Sequence, residues 1–137
     1  MKTVNWLTFI VIFLSFAIVM GGGYSVGTLG FLELLAIPVY FTPDGITDDP
    51  GVFFLFVSLL GHISMVLAMF MKKKLRKTIF IIVGEVFVLS AIIYFTKDFR
   101  GNSGERVMLG WSIPAIVAMI VLAIYLFVNR KKPEVVS

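Results

Sequence analysis

The sequence predicts an all-α membrane protein: four transmembrane helices in a bundle, with the N- and C-termini both cytoplasmic. Three observations lead there. Hydrophobic residues make up 59% of the 137 residues, and the mean hydropathy is +1.01, whereas apolar usage in soluble domains is nearer half. Four apolar runs approach the roughly 20 residues needed to cross a bilayer. Positive charge gathers at Lys2, in the run Lys72, Lys73, Lys74, Arg76 and Lys77, and at Arg130, Lys131 and Lys132. Such clusters stay cytoplasmic during insertion, and an even number of spans puts all three on one side. The chain is a single polytopic domain over 1–137, with spans expected at about 6–24, 52–71, 78–96 and 107–128.

The first span follows Lys2 as an apolar run from Trp6 to Met20, closed by Gly21, Gly22, Gly23 and Tyr24. A secretory signal shares some of this pattern. Trp6 and Tyr24 bracket the run as interfacial aromatics do, and no clear A-x-A site follows, so the run is read as a retained helix. The connection 25–51 is expected outside. Phe31, Leu34, Leu35 and Pro38 fall on one helical stripe interrupted by Glu33, which predicts a short interfacial or re-entrant helix over about 31–41. Pro43, Asp44-Gly45 and Asp49-Pro50-Gly51 then mark turns. All four charged residues of this connection are acidic: Glu33, Asp44, Asp48 and Asp49.

The basic run 72–77 predicts a tight inner turn of a hairpin between the second and third spans. Tyr94 and Lys97 are placed at the outer end of the third, with Lys97 reaching toward water. In the fourth span Pro114 removes a backbone donor and predicts a bend. Gly110, Pro114 and Ala118 recur at four-residue spacing, which predicts a close helix contact.

Two ionisable residues fall deep within spans, His62 and Glu85. Counted from the basic turn at 1.5 Å per residue, they lie about 15 Å and 12 Å deep. Antiparallel neighbours can bring them together as an intramembrane polar pair, serving proton handling or helix packing. Ser58, Gly61, Ser64 and Ser90 are the small or polar residues of the same two spans, and Gly61, Ser64 and Ala68 form a stripe that admits the third helix closely. Glu85 does not by itself demand a function. An acidic residue near a helix centre costs about 3 kcal/mol on insertion scales, and the surrounding Ile, Val, Leu and Phe residues outweigh it.

The residues also limit function. The basic pI of 9.5 reflects residues at span ends, where they orient the chain and meet lipid headgroups, so nucleic acid is not an expected partner. No cysteine is present, and no metal or cofactor motif appears: the spacing of Asp44, Asp48 and Asp49 does not fit a calcium loop. Nor does any nucleophile, zinc or phosphate-loop motif, so enzyme activity is unsupported. The first reading is a non-catalytic helper or structural subunit of a membrane assembly. The alternative is a small homo-oligomeric proton- or cation-coupled transporter or channel using His62 and Glu85. The expected partners are lipid and other membrane chains or further copies, in a bacterial cytoplasmic membrane.

Overall fold

The computed structural model describes residues 2–22, 25–42, 49–97 and 103–130. Its elements are α1 (Lys2–Phe16), the strands β1 (Val19–Gly22) and β2 (Ser25–Thr28), α2 (Leu29–Tyr40), α3 (Pro50–Phe70), α4 (Lys74–Thr96) and α5 (Ser103–Arg130). Three of the five helices are long and apolar enough to cross a membrane: Pro50–Phe70, Lys74–Thr96 and Glu105–Asn129. Only 28%, 33% and 28% of their apolar windows are buried inside the protein. Most of each helix therefore turns apolar side chains outward, as a membrane protein does toward lipid and a soluble one does not.

The first apolar run does not form one helix. α1 stops at Phe16 and the chain turns into β1, which pairs antiparallel with β2 in the register Val19↔Thr28 to Gly22↔Ser25. The run 6–24 is thus corrected to a shorter helix and a strand. Tyr24, expected as its outer anchor, lies outside the described residues. The reason is local: a run rich in glycine loses helix preference by about 1 kcal/mol per residue, and a hairpin satisfies the same backbone groups by cross-strand pairing. The Leu29 amide donates to the Ile18 carbonyl at 2.8 Å, closing the mouth of the hairpin. β1 itself packs against α5.

α2 begins where Thr28 caps it, accepting from the Phe31 amide at 3.4 Å. The stripe expected to lie in the interface turns away from the rest of the protein. Phe31, Leu34 and Leu35 face outward, whereas Glu33 is fully buried. α2 packs on α3, with Tyr40 edge-on to Phe56 at 5.1 Å between ring centroids. At the other end, the Asn5 side-chain amide donates to the Met69 carbonyl at 3.3 Å. Between those two contacts, α1 and then α2 trace α3 from its C-terminal end back to its first turns.

α3 starts at Pro50 with Asp49 as its cap, the carboxylate accepting from the Gly51 amide at 2.7 Å. Asp49→Ala is expected to cost about 1 kcal/mol, visible as a lower unfolding midpoint in detergent. Asp44 and Asp48 lie outside the described residues. α3 and α4 make the most extensive contact in the bundle. They are joined by the short basic turn Met71–Lys73, and they approach closely where Gly61 meets Gly84. An added Cβ on either glycine would stand 2.7 Å from the other's carbonyl oxygen. Where α3 starts and α4 ends, Tyr94 stacks on Phe54 at 4.2 Å, and the Lys97 ammonium sits 4.5 Å from the Tyr94 ring centre.

α5 runs on through Pro114. Its packing face is Met108, Ser112, Ala115, Met119, Leu122 and Leu126, all buried. The stripe Gly110, Pro114, Ala118 is not the contact face: Gly110 and Pro114 are exposed, and a Cβ at Gly110 would meet nothing within 4 Å. The buried set follows the helical period with larger side chains, and burial of apolar bulk outweighs the closer approach that small residues allow. α5 packs on α4, α1 and β1, so the helices close a ring in which α1 with α2 forms one side.

Candidate functional site

The break between α1 and α2 places polar side chains against the middle of α3. Ser15 ends α1 one residue before its last, Glu33 sits in the second turn of α2, and His62 lies near the centre of the 21-residue α3. His62 Nε2 is 2.8 Å from Ser15 Oγ, and His62 Nδ1 is 3.0 Å from Glu33 Oε2. Ser15 and Glu33 are fully buried and His62 is 3% exposed. Phe16 packs edge-on to the imidazole at 4.6 Å. Gly30 makes room for that ring, because a Cβ there would collide with Phe16. The imidazole also borders an apolar cavity of about 420 Å³ between α1 and α3, lined by Phe9, Phe13, Phe16, Ile63 and Val66 among others.

The hydrogens can be counted. Ser15 Oγ also lies 2.8 Å from the Val11 carbonyl and 3.0 Å from that of Ile12. Two oxygens hold such a distance when a proton lies between them, and a hydroxyl has one proton to give. If Ser15 donates to its own helix, the hydrogen between Ser15 and His62 comes from Nε2. The contact between Nδ1 and Glu33 then needs a further proton, shared by ring and carboxyl, and the trio is neutral. If Ser15 instead donates to Nε2, the ring donates Nδ1–H to an ionised Glu33, and the trio carries one negative charge. Both states fit the same heavy-atom contacts.

The order Ser–His–Glu also matches a nucleophilic triad. That chemistry needs an accessible hydroxyl and free amides to hold an oxyanion. Here Ser15 is enclosed, and the neighbouring Ala17 and Ile18 amides already donate to Phe13 and Ser15 carbonyls. The geometry lacks both features that acyl transfer needs.

His62 and Glu85 are not brought together: both ring nitrogens of His62 are engaged by α1 and α2. Glu85 lies at the middle of α4 and lines a groove between α4 and α5. Its Oε1 is buried and has no hydrogen-bond partner among the described residues. Ser58 is fully buried one turn from His62, and among the described residues its Oγ is likewise unpartnered, as are Glu33 Oε1 and Tyr40 Oη. Ser64 donates to the Phe80 carbonyl at 2.8 Å, joining α3 to α4, while Ser90 turns back to Phe87 of its own helix.

The basic residues divide by burial. Lys72, Lys73 and Arg76 are exposed. Lys74 donates from Nζ to the Asn129 carbonyl at 2.7 Å, a cation at the C-terminal end of α5. Lys77 is buried and donates to Asn5 Oδ1, pinning the start of α1 to α4. Lys131 and Lys132 lie outside the described residues. Among the described residues no group of three or more His, Cys, Asp or Glu side chains is placed to hold a metal ion.

Sequence reasoning found His62 and missed Ser15 and Glu33 as its partners. The signal was present: Asn5, Thr8 and Ser15 share a side of α1, and Glu33 is the lone charge in an otherwise apolar run. No protein-family model, curated protein or solved structure matches the chain.

Proposed function

We propose that this small membrane protein is a proton-coupled carrier or channel, with Ser15, His62 and Glu33 as its proton-binding site. The observation that carries the proposal is the hydrogen count: one set of heavy-atom contacts accommodates two states differing by a single proton. In this reading α1 and α2 together make a fourth crossing, interrupted at mid-depth, with both termini cytoplasmic. The three basic clusters support that orientation. Broken helices of this kind place polar groups at the bilayer midplane, where ion and proton sites are built. The unpartnered atoms Glu33 Oε1, Tyr40 Oη and Ser58 Oγ support it too, since buried polar atoms are nearly always paired. Water or a passing ion would satisfy them.

This reading displaces a helper subunit as the first choice. A packing role needs one interhelical bond, and such bonds average about 0.6 kcal/mol; it gives no reason for a chain of three groups able to gain and lose a proton. The test is a pH-jump in proteoliposomes holding an internal pH dye. The purified chain should carry protons faster than protein-free vesicles, and Glu33→Gln should not. No difference between wild type and empty vesicles, with or without added cations, contradicts the proposal. A stoichiometric complex with other membrane chains, seen by native mass spectrometry, would restore the subunit reading.

A further inference from the structure

We infer that the groove between α4 and α5 is a binding site for a lipophilic organic cation, with Glu85 as its counter-charge. The groove has a volume of about 570 Å³, within the range of small-molecule sites. Its walls are apolar: Ile82, Val86 and Leu89 from α4, Met119, Ile120 and Ile124 from α5. Glu85 is the one titratable side chain lining it. The residue is 8% exposed, and its Oε1 has no partner among the described residues. The only other polar residue lining it is Thr78, about two helical turns, or roughly 10 Å, nearer the basic turn. This site shares no residue with the Ser15–His62–Glu33 trio, so it stands or falls separately.

The chemistry of the lining selects the ligand class. A hard metal ion needs six or more oxygen ligands, or most of its waters, and one carboxylate among hydrocarbon supplies neither. A small ammonium ion would leave its hydration for a single contact. A bulky cation whose charge is spread or shielded by hydrocarbon loses little on desolvation, fills the apolar walls and pairs with the carboxylate. A neutral hydrocarbon would fill the walls as well, but leaves the buried carboxyl unpaired. A docked helix from another chain fits less well. The lining runs from Thr78 to Leu89 on α4 and from Met119 to Phe127 on α5, so the groove covers only part of the length that a spanning helix would occupy.

The test is equilibrium binding of radiolabelled tetraphenylphosphonium to the full chain in phosphatidylcholine nanodiscs, with empty nanodiscs subtracted. Saturable binding is expected. It should weaken at least about tenfold in Glu85→Gln, which removes the charge and disturbs no hydrogen bond of the fold. Ala123→Trp, which puts bulk into the groove while keeping the carboxylate, should weaken it similarly. Glu85→Asp should retain part of it. Equal binding in wild type and Glu85→Gln overturns the inference, because the probe would then be partitioning without the carboxylate. So does efficient disulfide dimerisation of Ala123→Cys in this otherwise cysteine-free chain, which would show a second copy covering the groove. Stoichiometric recovery of another membrane chain crosslinked at that position would overturn it too.

Discussion

Glu33→Gln is expected to lower proton flux to about a hundredth of wild type or below, while the protein still inserts and folds. The magnitude follows from removing a positioned proton acceptor, an effect of 10²- to 10⁴-fold where proton transfer limits the rate. The fold should survive because the glutamine amide has nearly the carboxyl's shape and can still bond to His62 Nδ1, which lies 3.0 Å from Glu33 Oε2. It cannot release a proton in the accessible pH range, so the trio loses the proton exchanged at position 33. A stability change of about 1 kcal/mol is expected, the net worth of one exchanged hydrogen bond. Ser15→Ala separates the roles further. It keeps the His62–Glu33 pair but leaves Nε2 without its acceptor, so flux should persist with an altered pH profile. Flux in Glu33→Gln equal to wild type would remove Glu33 from the pathway.

Gly84→Leu is expected to give the largest loss of stability of any single change outside the proton site. A Cβ at position 84 would stand 2.5 Å from Met65 Cγ and 2.7 Å from the Gly61 carbonyl oxygen. The methionine can move; the backbone carbonyl can yield only if α3 and α4 separate. Separation also stretches the Ser64 bond to the Phe80 carbonyl, now 2.8 Å. Gly84→Ala should cost about 1–3 kcal/mol, the usual range for overpacking, and Gly84→Leu more. Thermal unfolding in a mild detergent reads both. Adding Gly61→Ala to Gly84→Ala should cost less than the sum of the two, since both changes press on one contact. An unchanged midpoint for Gly84→Leu would mean that the two helices do not meet here.

What the sequence made legible follows from what sequence patterns encode. The hairpin α3–α4 was readable because two long apolar runs flank the basic turn, and the small residues Gly61 and Ser64 marked the face that α4 meets. The first span was misread because hydropathy counts apolar residues without regard to backbone preference: Val19–Gly22 is apolar enough to extend the run and glycine-rich enough to leave the helix. That break moved Ser15 and Glu33 to the depth of His62. Pairing His62 with Glu85 assumed that the nearest ionisable residue in the next span is the partner. Glu33, assigned to an outer loop by its acidic neighbours Asp44, Asp48 and Asp49, is instead enclosed with His62. Helix stripes likewise cannot say which face packs. On α5 the spacing of Gly110, Pro114 and Ala118 is regular, yet the buried row is the one that carries the larger Met108, Met119 and Leu122.

The most direct test of the proton site uses the fact that His62 is the chain's single histidine. Protein labelled with ¹⁵N-histidine, held in nanodiscs and followed by solid-state NMR over a pH series, gives two ring-nitrogen signals free of overlap. The loaded state keeps a hydrogen on Nε2, donated to Ser15. As pH rises and the proton leaves, the Ser15 hydroxyl turns from the Val11 carbonyl to Nε2, and the ring hydrogen remains on Nδ1 toward ionised Glu33. The expected result is therefore loss of the Nε2 hydrogen in one transition that disappears in Glu33→Gln. A ring that keeps the same hydrogen on the same nitrogen throughout the series, in wild type and variant alike, would contradict a proton-binding role and leave the trio as a fixed clamp between α1, α2 and α3.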